Sequence, residues 1–166
     1  MKGAKVYIIG LTFLALILFA GKVSAAKIIA KFEGLRLRAY KDSGGLWTIG
    51  YGNTINPETG LPIKQGDVIT KAKALDWLKK DTAAFRAGVQ KLVKVPVNDN
   101  QLAALTSLAY NIGLTAFSRS TLLRYLNTGV SKDQVAAQFL RWNRAGGQIV
   151  RGLTIRRKLE SDLFLT

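Results

Sequence analysis

Apolar positions are distributed unevenly along the chain, and the N-terminus holds a run of them that differs from everything after it. The run extends from Val6 to Gly21, which is 16 residues without a charge. A transmembrane helix needs about 20 apolar residues, whereas the apolar part of a secretory signal has about 7–15. The run lies between these lengths, and its glycines and alanines give it only a moderate affinity for the lipid interior.

Three interpretations of this segment are open. It is a cleaved secretory signal that ends near Ala25, because Val23-Ser24-Ala25 resembles a small-residue cleavage site. Alternatively, it is an uncleaved anchor with the rest of the chain outside the cytoplasm. The third interpretation is a buried helix of a soluble domain, although a core helix rarely runs so long without a polar face. We expect residues 1–26 to form a signal-anchor or signal-peptide segment and residues 27–166 to form a separate domain.

Basic residues flank the apolar run unequally. Lys2 and Lys5 precede it, and five basic residues follow it closely: Lys22, Lys27, Lys31, Arg36 and Arg38. The positive-inside bias would keep the second flank in the cytoplasm, so translocation is expected to be slow.

Beyond this segment the pattern divides into two parts. Glycine and proline punctuate residues 34–66, which indicates turns and hairpins, and Leu46 to Ile49 with Tyr51 are strand-forming residues. After Val68, apolar residues recur every three or four positions, which predicts helices. The positions on the first two helix faces are Ala72, Leu75, Leu78, Phe85, Val89 and Leu92, then Leu102, Leu105, Leu108 and Ile112.

Capping signals delimit the predicted helices. Asn98 with Gln101 and Ser131 with Gln134 have the spacing of capping boxes, and Gly113 suits a helix C-terminus. Strands followed by a run of helices predict an α+β fold, with a small β-containing lobe and a helical lobe joined by a long helix. The remaining predicted features are helices at Ser120–Asn127 and Thr154–Leu165 and a turn at Gly146-Gly147.

Composition narrows the chemistry. The net charge is +15, which indicates a polyanionic partner such as nucleic acid, an anionic membrane or a cell wall. The chain has no histidine, the commonest acid–base group and metal ligand at neutral pH, and no cysteine. Any catalysis must therefore use carboxylates, hydroxyls, lysine or tyrosine, and we expect no cofactor and no metal.

Two of the ten acidic residues stand out. Glu33 follows an apolar helix face with Lys31 as its only nearby charge, so we expect poor solvation that favours the protonated acid. Asp42 lies in a Lys-Asp-Ser-Gly-Gly turn that keeps it solvated, although aspartate also occurs in turns for structural reasons alone. Glycoside hydrolysis needs such an acid and an anion across a cleft. Seven of the remaining eight acids are expected at helix starts or on solvated faces: Asp67, Asp76, Asp81, Asp99, Asp133, Glu160 and Asp162. Arg151 to Lys158 is likewise expected to be a solvated face.

Several separated motifs carry a family resemblance. The string from Glu33 to Asp42, followed by Trp47-Thr48-Ile49-Gly50-Tyr51-Gly52, resembles the active-site segment of the phage-type lysozymes, the family of the T-even phage lysozyme. The likeness continues in order through three further segments, Ala109 to Gly113, Trp142 to Gly147 and Arg151 to Arg157. It covers roughly residues 27–165, and it implies a lysozyme-like fold.

The resemblance also implies an activity. The family's muramidases cleave the β-1,4 bond between N-acetylmuramic acid and N-acetylglucosamine in peptidoglycan, usually with inversion. Glu33 would be the general acid. Asp42 would activate or position water, or stabilise the oxocarbenium-like centre, and Thr48 would orient that water.

Three further residues follow from the resemblance. Tyr110 and Asn111 would line the sugar cleft, although core packing explains Tyr110 equally well. The family often has His at the position of Asn53, so a local ion pair is expected to be missing here.

The apolar segment and the domain together resemble the signal-arrest-release endolysins, which are exported, held in the inner membrane and freed on depolarisation. The implied partners are peptidoglycan, the export translocon and the inner membrane through residues 6–21, with no nucleic acid. The released protein is expected to be a periplasmic monomer. Without cysteine, a disulfide exchange cannot control it, and tethering is expected to keep Ala26 to Glu33 strained or too close to the bilayer.

Two other functions remain open. A lytic transglycosylase would cut the same bond without water and needs only Glu33, so Asp42 and Thr48 argue against it. A non-catalytic, basic cell-wall-binding protein would use the charge and not the carboxylates. Nucleic-acid binding is disfavoured because the basic residues are scattered and form no known reading motif.

Overall fold

The computed structural model describes residues 23–42 and 44–166. The predictions made for residues 6–21 lie outside the described residues. Within the described part of the chain, no helix combines the length and the apolar character needed to cross a bilayer.

Helix α1 (Ala25–Glu33) begins the domain, and its cap lies within the segment that we assigned to the N-terminus. The side chain of Ser24 accepts a hydrogen bond from the backbone N–H of Lys27, which caps the helix. Val23 and Ala25 are buried in the main hydrophobic core. The packed domain therefore includes residues 23–26 as well as those from 27 onwards.

The small lobe is built on one antiparallel hairpin. Strand β1 (Arg36–Lys41) pairs with β2 (Trp47–Gly50), with Tyr40 opposite Thr48. Ile49, Ile63 and Trp77 form a small hydrophobic core beneath the hairpin, apart from the main core.

Two helices connect the lobes and form the centre of the molecule. Helix α2 (Lys71–Leu92) contributes Trp77 to the small core and Val89 to the main one, so it spans both. Helix α3 (Asp99–Ile112) is buried along most of its length. The predicted capping box is confirmed there, because Asn98 and Gln101 exchange side-chain to backbone hydrogen bonds.

Short helices complete the helical lobe: α4 (Leu114–Ser118), α5 (Thr121–Asn127), α6 (Lys132–Ala137) and a 3-10 helix (Gln138–Trp142). The second predicted capping box forms in part. The Ser131 hydroxyl accepts the N–H of Gln134, but the Gln134 side chain bonds to that hydroxyl and not to the backbone.

The last helix packs across the centre of the main core. A two-residue turn at Gly146-Gly147 joins β3 (Arg144–Ala145) to β4 (Gln148–Ile149), as predicted. Helix α7 (Arg151–Leu165) then packs against α3, the 3-10 helix and α6. Its buried face contains Arg156, Arg157 and Glu160 together with Leu163 and Phe164. The prediction that this helix presents its charges to solvent is therefore wrong at those three positions.

Candidate active site

Glu33 is the last residue of α1, at the point where the helical lobe meets the hairpin lobe. Its Oε1 lies 2.7 Å from NH1 of Arg156 on α7. The Glu33 side chain is 23% exposed and that of Arg156 only 3%. The prediction that Lys31 is the only nearby charge is wrong, because Arg156 comes from a distant part of the chain.

The turn after β2 approaches the other oxygen of Glu33. Gly52 has φ of +100°, and a β-carbon built there would lie 3.6 Å from Oε2 of Glu33. Glycine is required for the conformation, and it also leaves the space beside the carboxylate open. The turn that follows Thr48 in the chain therefore lies against the Glu33 carboxylate.

Asp42 is held by its own turn. Its Oδ1 accepts the backbone N–H of Gly44 and that of Leu46, both at 2.9 Å. Two N–H donors stabilise a carboxylate over a carboxylic acid. The same bonds are those of an ordinary aspartate turn, so the geometry is compatible with both interpretations left open by the sequence.

Thr48 is nearly buried, with 3% of its surface exposed, on β2 opposite Tyr40. Its hydroxyl donates to the carbonyl of Leu46 at 3.2 Å. Asp42 accepts from the N–H of the same residue. Leu46 therefore fixes both polar groups in one short hairpin.

Tyr110 lies beside the turn after β2 and is partly buried. Its hydroxyl donates to the carbonyl of Tyr51 at 3.0 Å, and its ring packs 5.1 Å from that of Phe85. Burial, with smaller contributions from Asp81 and Glu33, raises the pKa of Tyr110. The hydroxyl thus joins α3 to the backbone beside Gly52. Its role in sugar binding stays a prediction.

Asn111 is exposed on the next position of α3. Its Oδ1 accepts a hydrogen bond from NH2 of Arg157 at 2.9 Å. The exposed side chain is therefore oriented from the protein interior, and its contact with sugar also stays a prediction.

Glu160 was predicted to be solvated, and that prediction is wrong. It is fully buried, its Oε1 accepts from Ser107 Oγ at 2.6 Å, and it lies 3.2 Å from both Arg156 and Arg157. The charged residues looked like a polar helix face. Their four-residue spacing with the apolar residues was the available signal, since Arg156, Glu160 and Phe164 fall on one stripe of α7.

Asn53 forms a hydrogen bond where we expected a missing ion pair. Its Nδ2 donates to Oδ2 of Asp81 at 2.6 Å, which links the turn after β2 to α2. The amide preserves a polar link between the lobes without a positive charge. Asp81 is therefore half-buried and bonded, where we predicted a solvated position.

Two cavities elsewhere lack the pairing of a carboxylate with a buried arginine that is found at Glu33. One of them, of about 160 Å³ beneath the hairpin, has the carboxylate of Asp67 in its lining. The other, of about 330 Å³, opens in the helical lobe beside Val95, Leu126 and Phe164, and no carboxylate lines it. Within residues 23–42 and 44–166, no three acidic side chains gather as a metal site requires. The junction at Glu33 is therefore the candidate active site.

The hairpin lobe, the long helix and the carboxylate at their junction define the lysozyme-like class of folds. A family model described as phage lysozyme matches residues 30–160. The chain belongs to the phage lysozyme family.

Relatives with sequence similarity are named endolysins. The endolysin of Bacillus phage B103 is 45% identical over 141 residues, which are 84% of this chain and 51% of that protein. The SAR-endolysin of Enterobacteria phage P21 is 38% identical over 133 residues, or 80% of this chain and 77% of that protein. The chain spans about half the length of the Bacillus phage relatives that it matches.

A solved structure confirms the predicted fold class. The endolysin from Escherichia coli O157:H7 phage FAHEc1 matches with a TM-score of 0.76 and 41% identity, over 85% of this chain and 90% of that chain. The α+β, lysozyme-like architecture predicted from the sequence is thereby confirmed.

Proposed function

We propose that this protein is a phage endolysin that hydrolyses the β-1,4 bond between N-acetylmuramic acid and N-acetylglucosamine in peptidoglycan and so lyses the host cell. The observation that carries this proposal is the position of Glu33. Its carboxylate lies at the junction of the lobes, with one oxygen on Arg156 and the other beside the open space at Gly52. Family membership supports the same conclusion.

Glu33 is the general acid in the proposed mechanism. Protonated Oε2 gives its proton to the glycosidic oxygen as the bond from that oxygen to the anomeric carbon breaks. Sugar that fills the cleft excludes water from Glu33 and favours the neutral acid needed for this step. Arg156 then stabilises the carboxylate left behind, because it already contacts the other oxygen.

Asp42 and Thr48 handle the water. Asp42 receives a proton from the water, or orients it, while the water oxygen bonds to the developing oxocarbenium-like carbon. The backbone donors to Oδ1 hold the carboxylate of Asp42 in place and leave Oδ2 for this task. The Thr48 hydroxyl, fixed by Leu46, directs the same water.

Glu33→Gln tests the proposal directly. We expect release of new reducing ends from purified peptidoglycan to fall by roughly 10³-fold, because the amide cannot supply the proton. Glu58→Gln is the matched control, since Glu58 also accepts side-chain hydrogen bonds but belongs to a loop of the hairpin lobe. Full activity in the Glu33 variant would exclude catalysis by this carboxylate. No release of reducing ends by the unmodified chain would favour a wall-binding protein.

The products distinguish hydrolysis from the transglycosylase alternative. Hydrolysis leaves a reducing muramic acid, whereas a transglycosylase leaves an anhydro-muramic end. Mass spectrometry of the released fragments is expected to show the reducing form alone. Anhydro ends would mean that Asp42 and Thr48 have no role in directing water.

Export and tethering through residues 6–21 complete the proposal. The structure of α1 favours release without cleavage, because a cut after Ala25 would remove the buried Val23 and the cap at Ser24. N-terminal sequencing of the periplasmic protein after depolarisation is expected to find Met1 or Lys2. A new terminus near Ala26 would show a cleaved signal instead.

The tether also provides a means of control. The cap and first turn of α1 lie only a few residues from the apolar run, and α1 carries Glu33 at its other end. We expect the membrane-held protein to hydrolyse peptidoglycan more slowly than the same full chain after release. Equal rates would exclude control by tethering.

The surplus positive charge supports peptidoglycan and the anionic envelope as partners. Hydrolysis of whole walls is expected to slow as salt rises, because exposed charges more than about 10 Å apart are screened at roughly 0.1 M salt. A monomer without cofactor or nucleic acid is sufficient for this activity.

A further inference from the structure

A second carboxylate lies behind Glu33, on the far side of Arg156. Nε of Arg156 lies 3.2 Å from Oε1 of Glu160, while NH1 lies 2.7 Å from Oε1 of Glu33. One guanidinium therefore bridges an accessible carboxylate and a fully buried one. The proposed mechanism uses the first of these and leaves the second unexplained.

Arg156 has no freedom to turn towards either partner alone. NH2 donates to the carbonyl of Ser107 at 3.2 Å, and the guanidinium lies 5.6 Å from the centre of the Phe32 ring. With the two carboxylates, these contacts occupy all three nitrogens and one face. The distance between Arg156 and Glu33 is therefore determined by the contacts that Arg156 makes on the side away from Glu33, where no substrate reaches.

The polar partners of Glu160 favour the anion, and burial opposes them. Oε1 accepts from Ser107 Oγ and from Arg156, and Oε2 lies 3.2 Å from Nε of Arg157. Both guanidinium groups can only donate hydrogen bonds, so they interact with the ionised carboxylate of Glu160 and cannot accept a proton from its acid form. Burial raises the pKa of Glu160, whereas the two arginines and the Ser107 bond act against that rise.

The cluster as a whole is balanced in charge. Burial lowers the pKa of Arg157 to about 10, which still leaves it protonated at neutral pH. Arg156 and Arg157 then carry two positive charges against two negative ones on Glu33 and Glu160. If Glu160 were neutral, both guanidinium groups would act on Glu33 alone.

We propose that Glu160 is a positioning residue for the catalytic acid. Its buried negative charge orients Arg156 and offsets the two arginines, and so lets Glu33 take up the proton that it donates to the sugar. This inference rests on the proposed role of Glu33 as general acid. It adds a residue that contacts neither substrate nor water and acts through Arg156.

The groups around this cluster come from several elements. Tyr110 on α3 is a titratable group near Glu33, and its hydroxyl donates to the Tyr51 carbonyl. On α3 the group facing Glu160 is the Ser107 hydroxyl. The 3-10 helix and α6, which also pack against α7, carry their titratable residues on the surface: Arg141, Lys132 and Asp133.

The test compares Glu160→Gln with Glu160→Asp in the full chain, kept in a mild detergent. Carbon-13 NMR follows the titration of the Glu33 carboxyl, independently of any activity. In Glu160→Gln we expect the titration midpoint of Glu33 to fall by about half to one pH unit, because the arginines are no longer offset. Glu160→Asp keeps the charge, so its midpoint is expected to stay close to that of the unmodified chain.

Activity provides the second readout. The alkaline limb of the pH–activity profile on peptidoglycan is expected to move in the same direction and by the same amount as the NMR midpoint. Hydrolysis near neutral pH then falls by about three- to tenfold, since one pH unit is a tenfold change in protonation. A merely structural role would lower the melting temperature of both variants and leave the midpoint and the limb in place.

Arg157→Met is expected to shift the Glu33 titration midpoint in the opposite direction. It removes one positive charge, so the Glu33 midpoint is expected to rise, and measurement at low temperature keeps destabilised variants folded. An unchanged midpoint in Glu160→Gln, or a fall in Arg157→Met, overturns the proposal. Should the unmodified chain release no reducing ends, the proposed function fails, while the NMR titrations still decide whether Glu160 acts on Glu33.

Discussion

The hairpin side and the helix side of the candidate site hold their polar groups in different ways. On the hairpin side, Asp42 accepts backbone N–H groups only two and four positions further along the chain. On the helix side, the partner of Glu33 is Arg156, which lies 123 positions away. Asp42 is placed by a turn, and Glu33 is placed by the packing of α7 on the rest of the domain.

This difference separates local from tertiary placement of side chains within one candidate site. The hairpin needs only its own turn and two short strands to bring Asp42 near Thr48. The helix side needs the whole main core, because Arg156 must be buried and oriented before it can contact Glu33. Disturbing α7 should therefore disturb Glu33 and leave the hairpin with Asp42 and Thr48 in place.

The largest expected effect comes from Arg156→Met. The substitution leaves the buried Glu160 short of a partner and Glu33 without its contact, so we expect a loss of about 3–5 kcal/mol in the free energy of unfolding. Urea denaturation measures that loss, and NMR of the amides in β1 and β2 reports the hairpin, which is expected to stay native.

Lys158→Met is the control for that variant. Lys158 is on the same helix and pairs with Asp162 at 3.1 Å, but its side chain is 68% exposed. A loss below about 1 kcal/mol is expected there. Similar losses in both variants would mean that burial of the ion pair does not distinguish the helix side.

Asp42→Asn tests the hairpin side. The amide oxygen can still accept the two backbone N–H groups, so the turn survives and the change in unfolding free energy is expected to stay within about 1 kcal/mol. Without the negative charge, peptidoglycan hydrolysis is expected to fall by about 10²-fold.

Asp67→Asn is the matched control, since Asp67 accepts the N–H of Lys64 in another turn of the same lobe. Its activity is expected to be unchanged. Full activity in Asp42→Asn would mean that the aspartate is only a turn residue, which the local bonds alone would also explain.

The same division explains which features were predictable from sequence. The Asn98–Gln101 capping box, the end of α3 at Gly113 and the turn at Gly146-Gly147 depend on a few neighbouring residues, and all three are confirmed. The motif around Glu33 is equally local, so a resemblance could indicate the lobes and the site together.

The buried charges could not be predicted in the same way. Arg156 and Glu160 have the composition of a solvated helix face, and only their packing against α3 makes them interior. A charge is stable in the core only where it has polar partners. Ser107, one partner of Glu160, lies 53 positions earlier in the chain, so the sequence around Glu160 does not indicate the contact. Periodicity places both residues on the inner stripe of α7, but their polarity alone predicts that they are exposed to solvent.

Tyr110→Phe examines the contact between the two sides. Removing the hydroxyl leaves the Tyr51 carbonyl without its donor at 3.0 Å, and a loss of about 1 kcal/mol in unfolding free energy is expected. Tyr125→Phe is the control, because the Tyr125 hydroxyl has no hydrogen-bond partner among the described residues. If Tyr110 also binds sugar, KM rises in its variant, whereas a purely structural role lowers stability and leaves KM unchanged.

The smallest effect is expected at Glu58, a loop residue of the hairpin lobe whose partners lie 15 and 19 positions further along the chain, on α2. Hydrogen bonds from Lys73 and Trp77 hold the pKa of Glu58 below its usual range. A carboxyl whose pKa is lowered on folding stabilises the protein above its unfolded pKa, and the contribution is lost as pH falls through the folded pKa. The melting temperature of Glu58→Gln should therefore lie slightly below that of the unmodified chain at about pH 6, and the difference should disappear near about pH 3. A difference that persists in acid would show that the glutamine variant loses packing and not charge, and this loop would then depend on shape more than the hairpin turn at Asp42 does.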